Sequence, residues 1–197
     1  MTADWFAQIL ARGHETPGVE FKRPGSREDR SILAGVARAV LGMANSRDGG
    51  LVIIGIVEDG DALIPEGVSA GDLRTWRQEA VTGALAAYAD PYVEVHTEDF
   101  AYMGKVFVVI AVEEFREIPV LCKRSFDTKL RAGACYVRPR GRIETSEVAT
   151  QAEMRELLEL ATEKRLRSFL RQARGAGVAM QAAPSDAELF DGELGEF

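Results

Sequence analysis

The sequence predicts an α/β fold of the α+β kind, with a mixed, largely antiparallel sheet flanked by helices. Three observations predict it. Apolar residues recur at helical spacing in four separate segments. Short apolar or alternating runs lie between these segments, and one adjacent pair reads as an antiparallel hairpin. Finally, the sequence contains no GxGxxG and no GxxxxGK[ST], and its Gly49-Gly50 pair follows a helix rather than a strand. The chain is therefore not a plain series of βαβ units built around a phosphate loop.

Taken in order, Thr2 caps a short amphipathic helix carrying Trp5, Phe6, Ile9 and Leu10, and Gly13 ends it. Val19-Glu20-Phe21-Lys22 alternates as a strand, and Pro24-Gly25-Ser26 turns the chain. Ile32, Leu33, Val36, Val40, Leu41 and Met43 predict a helix from about Glu28 to Asn45. Leu51 to Val57 reads as one buried strand, closed by the polar turn Glu58-Asp59-Gly60-Asp61. A helix is predicted from about Gly71 to Tyr88, stopping before Asp90-Pro91. Tyr92 to Glu98 and Lys105 to Val112 predict a hairpin across Met103-Gly104. Ile118 to Lys123 and Ala134 to Pro139 predict further short strands, and Ser146 opens a last helix to about Arg174.

The composition bounds what the chain can do. It has 197 residues, 46% hydrophobic and 28% charged, which suits a single domain over residues 1–174 followed by a flexible acidic tail, 175–197. No apolar run is long enough to span a bilayer, and no secretion signal is visible, so a cytoplasmic protein without a membrane partner is expected. Cys122 and Cys135 lack metal-ligand spacing, and His14 and His96 are the only histidines, which disfavours a zinc site. The net charge is −7, but the charge is segregated. Five acids and no base lie after residue 179. Between Arg116 and Arg142 eight basic residues face only Glu117 and Asp127. That stretch is a candidate phosphate-facing surface, with a solvated face that binds nothing as the alternative.

Three acidic positions could carry chemistry. Glu15 and Glu20 flank a Pro-Gly turn and the start of a strand, and Glu58, with Asp59 beside it, ends the most apolar strand. Carboxylates converging at a strand end can bind a hard cation such as Mg²⁺ or Mn²⁺ through oxygen, and such a cation can activate water beside a phosphate. Scattered surface carboxylates are the other reading. The run Ala44-Asn45-Ser46-Arg47-Asp48-Gly49-Gly50 has the chemistry of a helix C-cap. Tyr136-Val137-Arg138-Pro139-Arg140-Gly141-Arg142 combines a stacking face with bidentate phosphate donors, or else is an edge strand protected by charge.

Together these segments resemble one family. Val19-Glu20-Phe21-Lys22, then Ala44 to Gly50, then Ile54-Gly55-Ile56 before an acidic turn are similar to the Schlafen core, also called the divergent Alba-like domain, in its bacterial single-domain form. Gly104-Lys105-Val106, Pro119, Tyr136-Val137-Arg138 and Thr145-Ser146 extend the likeness over about Gly13 to Leu160. The resemblance implies a nucleic-acid-binding protein, and a metal-dependent endoribonuclease acting on structured RNA such as tRNA in preference to DNA. It places Glu15 and Glu20 on the family's two glutamates and Glu58 on its aspartate, with Asp59 as substitute and Mg²⁺ or Mn²⁺ as cofactor. Glu at position 58 and Ser46 where threonine is usual depart from the family pattern. Lys22, Lys123, Arg138, Arg140 and Arg142 are the expected backbone contacts. A non-catalytic DNA- or RNA-binding regulatory module and a nucleotide-binding signalling protein are the alternatives. Since family enzymes pair two lobes into a groove, a homodimer is expected, with the acidic tail mimicking nucleic acid or repelling it from the basic face.

Overall fold

The short alternating run Val19–Lys22 does form a strand, β1, and it pairs in parallel with β2 (Gly50–Ile54), Val19 opposite Leu51. Parallel neighbours need a long connection, here supplied by helix α2 (Arg30–Ala44), whose first turn is capped by the Asp29 carboxylate on the amides of Ser31 and Ile32. The computed structural model describes residues 2–60, 62–139 and 144–177. It divides into two units, Met1–Ala161 and Thr162–Phe197.

In the first unit a four-stranded sheet runs β1-β2-β7-β6, where β6 is Val95–Tyr102 and β7 is Lys105–Val112. All pairings but β1 with β2 are antiparallel. The alternation of side chains builds a core on each face. Val52, Ile54, Val108, Ile110 and Val112 pack with α2, while Val19, Phe21, Ile53, Phe107 and Val109 pack with Phe6 and Ile9 of α1 (Ala3–Ala11). Phe6 touches the rings of Phe100, Tyr102 and Phe107 with centroids 5.0–5.1 Å away. The fold is the expected mixed α/β arrangement.

Several element boundaries differ from expectation, each for a local reason. The strand expected over Leu51–Val57 breaks at Gly55, whose φ of 115° turns the chain. Its amide donates to the Lys22 carbonyl (2.8 Å) and its carbonyl accepts from Glu66 and Gly67 (2.9 and 2.8 Å). A Cβ there would meet the Phe107 ring at 2.9 Å, so glycine is required. Beyond it Ile56–Asp59 (β3) forms a separate hairpin with Ala62–Pro65 (β4). The helix expected over Gly71–Tyr88 is interrupted: α3 covers Ala70–Leu73, a 3₁₀ turn follows, and α4 covers Gln78–Ala86 after an extended Arg77. Tertiary bonds hold the break, since buried Trp76 donates its indole N–H to Gly25 (2.8 Å) and Gln78 bridges Val95 and Thr97 (2.7 Å each).

The chain after β7 pairs sparingly. Ala89–Asp90 (β5) pairs with Leu121–Cys122 (β8), and Tyr136–Val137 (β9) pairs with Ser146–Glu147 (β10). Ser146 is therefore in a strand, and the last helix, α5 (Gln151–Gly175), starts later. Thr150 and Glu153 cap it reciprocally, the hydroxyl accepting from the Glu153 amide (3.2 Å) and the carboxylate from the amides of Ala149 and Thr150. Leu157, Leu160 and Ala161 are buried in the first unit. In the second unit, residues 162–175 are helical.

Asn45, at the C-terminus of α2, does more than end a helix. Its Nδ2 donates to the carbonyls of Val120 (2.8 Å) and Tyr136 (2.9 Å), and its Oδ1 accepts from the Val120 amide (2.7 Å), all buried. One side chain thus joins α2 to the start of β8 and to β9. Asn45→Ala strands three buried backbone groups and is expected to cost at least about 2 kcal/mol, each orphaned group being worth roughly 1–3 kcal/mol. Urea denaturation reads this, and a loss near zero would show that water replaces the amide.

Candidate functional site

Because Val19 and Phe21 of β1 face α1, Glu20 and Lys22 project to the α2 side of the sheet. Glu20 is 8% exposed and fully engaged. One of its oxygens accepts from Lys22 Nζ, the other from Arg138 Nη1, with the Thr145 hydroxyl 3.5 Å away. The Arg138 side chain is only 1% exposed. Its Nη2 donates to the Thr16 carbonyl (3.1 Å) and lies 3.8 Å from Glu15 Oε2. Glu15 Oε1 accepts the Phe21 amide at 2.7 Å. The five-residue offset of the two glutamates therefore brings both to one buried cation.

Burial pushes the Glu15 carboxyl up to about 7, and the neighbouring Glu20 charge adds to that rise. The Phe21 N–H, Lys22 and Arg138 oppose it without cancelling it.

Two parts of the sequence expectation land elsewhere. Glu58 lies on β3, past the Gly55 break, exposed and opposite Leu63, with Asp59 opposite Ala62. Among the described residues no three His, Cys, Asp or Glu side chains converge on a possible metal position. Arg138, expected on an exposed edge, is inside the protein. This is a correction: its guanidinium is the counter-charge of Glu20, so it cannot face a phosphate in this arrangement. Two glutamates beside one short apolar strand signal the need for such a cation, since a buried carboxylate is costly without one.

Of the six described cations between Arg116 and Arg142, four are occupied, Arg138 among them. Arg116 pairs with Glu94 (3.2 Å from Nε) and Arg131 with Glu147 (3.0 Å from Nε), while Lys129 donates to the Ser31 hydroxyl (2.6 Å). Lys123 and Arg124 are exposed. Arg140 and Arg142 lie outside the described residues, as does the expected acidic tail beyond residue 177. Cys122 and Cys135 are free thiols, both raised by burial, Cys135 to about 11, which makes them poor nucleophiles.

A divalent Mg²⁺ or Mn²⁺ needs several free oxygen donors. Here both Glu20 oxygens hold cations of the chain itself, one Glu15 oxygen holds an amide, and no third acid joins them among the described residues. The residues present do not fit the metal in this arrangement.

A mixed α/β domain with a glutamate pair entering its edge strand defines the class to which this chain belongs. The family model for Schlafen, AlbA_2 matches residues 15–146, two thirds of the chain, and the chain belongs to that family. None of the curated proteins matches it. Among solved structures it is similar to the DIP2311 protein from Corynebacterium diphtheriae, at 20% identity and a TM-score of 0.48, over 73% of this chain and 25% of that one. It is also similar to the N-terminal domain of a RecG-related protein from Nitrosomonas europaea, at 21% identity and a TM-score of 0.48, over 76% and 91% of the two chains. The chain thus spans a quarter of the length of the first of these.

Two measurements check the cluster. Arg138→Met removes the buried cation that Glu20 and Glu15 share, leaving Glu20 with Lys22 alone, and breaking such a buried pair is expected to cost about 3–5 kcal/mol in urea denaturation. A loss below about 1 kcal/mol would show that the pair is dispensable. The second measurement concerns pH. The folded-state pKa of Glu15 is raised, so its contribution to stability is full below pH 4.5 and disappears as pH rises through about 7. The melting temperature of the natural protein should therefore fall across that interval relative to Glu15→Gln. Parallel profiles would mean that Glu15 is already ionised at pH 5.

Proposed function

We propose that this chain is a nucleic-acid-binding module in which the glutamate pair acts structurally, holding Arg138 in place of a metal ion. Membership of the Schlafen, AlbA_2 family supports the nucleic-acid reading. The single observation that carries the non-catalytic form is the buried Arg138 guanidinium between Glu20, Thr16 and Glu15. A metal-dependent endoribonuclease needs open carboxylate oxygens beside the scissile phosphate, and here those oxygens serve the fold. No helix among the described residues is long and apolar enough to cross a membrane.

Structured RNA such as tRNA is the first ligand to offer, since recognition through shape and backbone needs no base-reading motif. Incubation of the protein with total tRNA should leave it intact with Mn²⁺, Mg²⁺ or EDTA, while a native gel shows a shifted complex that added salt dissolves. Discrete fragments that need the metal and vanish in Glu20→Gln would replace this proposal with the endoribonuclease.

A further inference from the structure

The second half of α5 lies beyond residue 146, where the family match ends. From Lys164 to Arg174 five of eleven residues are basic and none is acidic, and no other eleven-residue stretch of the sequence carries as many bases. Arg167, Arg171 and Arg174 stand at i, i+4 and i+7, which places them on one face of a helix. All three are exposed. At 1.5 Å per residue the row is about 10 Å long, close to three nucleotide steps of one strand.

Each arginine is available in a way that most cations of the first unit are not. Arg167 pairs with Glu163 one turn earlier, but the pair is solvent-exposed, and such pairs are weak and screened by salt. A phosphate can take its place. Arg171 and Arg174 have no acidic partner among the described residues. By contrast Arg138 is buried on Glu20, and Arg116 and Arg131, though exposed, each hold a glutamate through two guanidinium nitrogens, Nε and Nη2, a stronger geometry than the Nη2 contact of Arg167. Complementing the helix dipole accounts for one cation in the last turn, Arg174, and not for a row two turns long.

We infer that Arg167, Arg171 and Arg174 form the row that grips the sugar–phosphate backbone of a nucleic acid. The inference rests on the nucleic-acid reading above and gives it a surface. The planar guanidinium fork suits bidentate phosphate contacts, which fix position without reading sequence. An anionic bilayer is the competing occupant, because Leu166 and Phe169 of the same helix are exposed (56% and 60%). Among the described residues of the second unit these two are the large apolar side chains left exposed, against the exposed Arg165, Arg167, Arg171 and Arg174, so charge outweighs apolar surface on this stretch.

The test compares the full-length protein with Arg167→Gln/Arg171→Gln/Arg174→Gln and with Lys123→Gln/Arg124→Gln. Glutamine keeps helix propensity close to that of arginine, and circular dichroism confirms the fold. Binding to a labelled DNA duplex and to a labelled tRNA is followed by anisotropy over a salt series. The α5 variant should bind at least about tenfold more weakly, with the slope of log affinity against log salt on the duplex reduced by up to about 2.7, roughly 0.9 for each lost phosphate contact. The Lys123/Arg124 variant should change less. If the natural protein binds and the α5 variant binds equally well, the row is wrong and the nucleic-acid function stands. If the natural protein binds neither ligand, both the function and the row fall. Binding to vesicles of anionic lipid that is lost in the α5 variant, with no binding to nucleic acid, would assign the row to a membrane surface and overturn the inference.

Discussion

The first unit depends on one buried guanidinium. Arg138 comes from the chain just after β9, and Glu20 sits in the middle of β1, 118 positions earlier. Neither could be where it is alone. A carboxylate in the edge strand of a dry sheet would shift its pKa or leave the core, and an arginine with a 1% exposed side chain would not stay inside without acceptors. Together with the Thr16 carbonyl and Glu15 they satisfy most of each other's needs and tie the late chain to the first strand. Thr145 fits beside them only because Gly42 of α2 has no side chain; a Cβ there would lie 2.6 Å from the threonine methyl.

Asn45 works on the same segment from the other side. It binds Val120 and Tyr136, while Arg138, two residues beyond Tyr136, binds β1. The strands after β7 are only two residues long, so their own ladders are weak. Side chains of α2 and β1, rather than sheet pairing, set their position. Arg38 adds to this by donating to the Thr145 carbonyl (2.8 Å) and lying over the Tyr136 ring.

These constraints bear on function through charge. A cation used to hold a buried carboxylate is no longer a cation offered to a phosphate. The stretch 116–142 looks strongly basic along the chain, yet three of its arginines neutralise glutamates contributed by other segments. Among the described residues the exposed cations are distributed differently, with the densest run on the last helix. Local charge counted along a sequence therefore overstates the phosphate-facing surface wherever the acids arrive from elsewhere in the fold.

The sequence by itself determined the fold class, the first strand, the helix after it and the β6–β7 hairpin, because periodicity, caps and turn residues are local and act within a few residues. It also brought the family into view through Glu15, Glu20-Phe21-Lys22 and the Asn45 to Gly50 run. What it could not decide were the outcomes that long-range contacts control. Gly55 reads equally well inside a buried strand or at its break; packing against Phe107 and Gly67 chose the break and sent Glu58 away from the other two glutamates. Trp76 and Gln78 divided a helix whose periodicity was continuous, because their partners, Gly25, Val95 and Thr97, lie far along the chain. The role of Arg138 was likewise a tertiary decision: an arginine beside a strand is a surface charge or a buried counter-ion according to whether a carboxylate from another strand meets it, and only the folded chain brings Glu20 there.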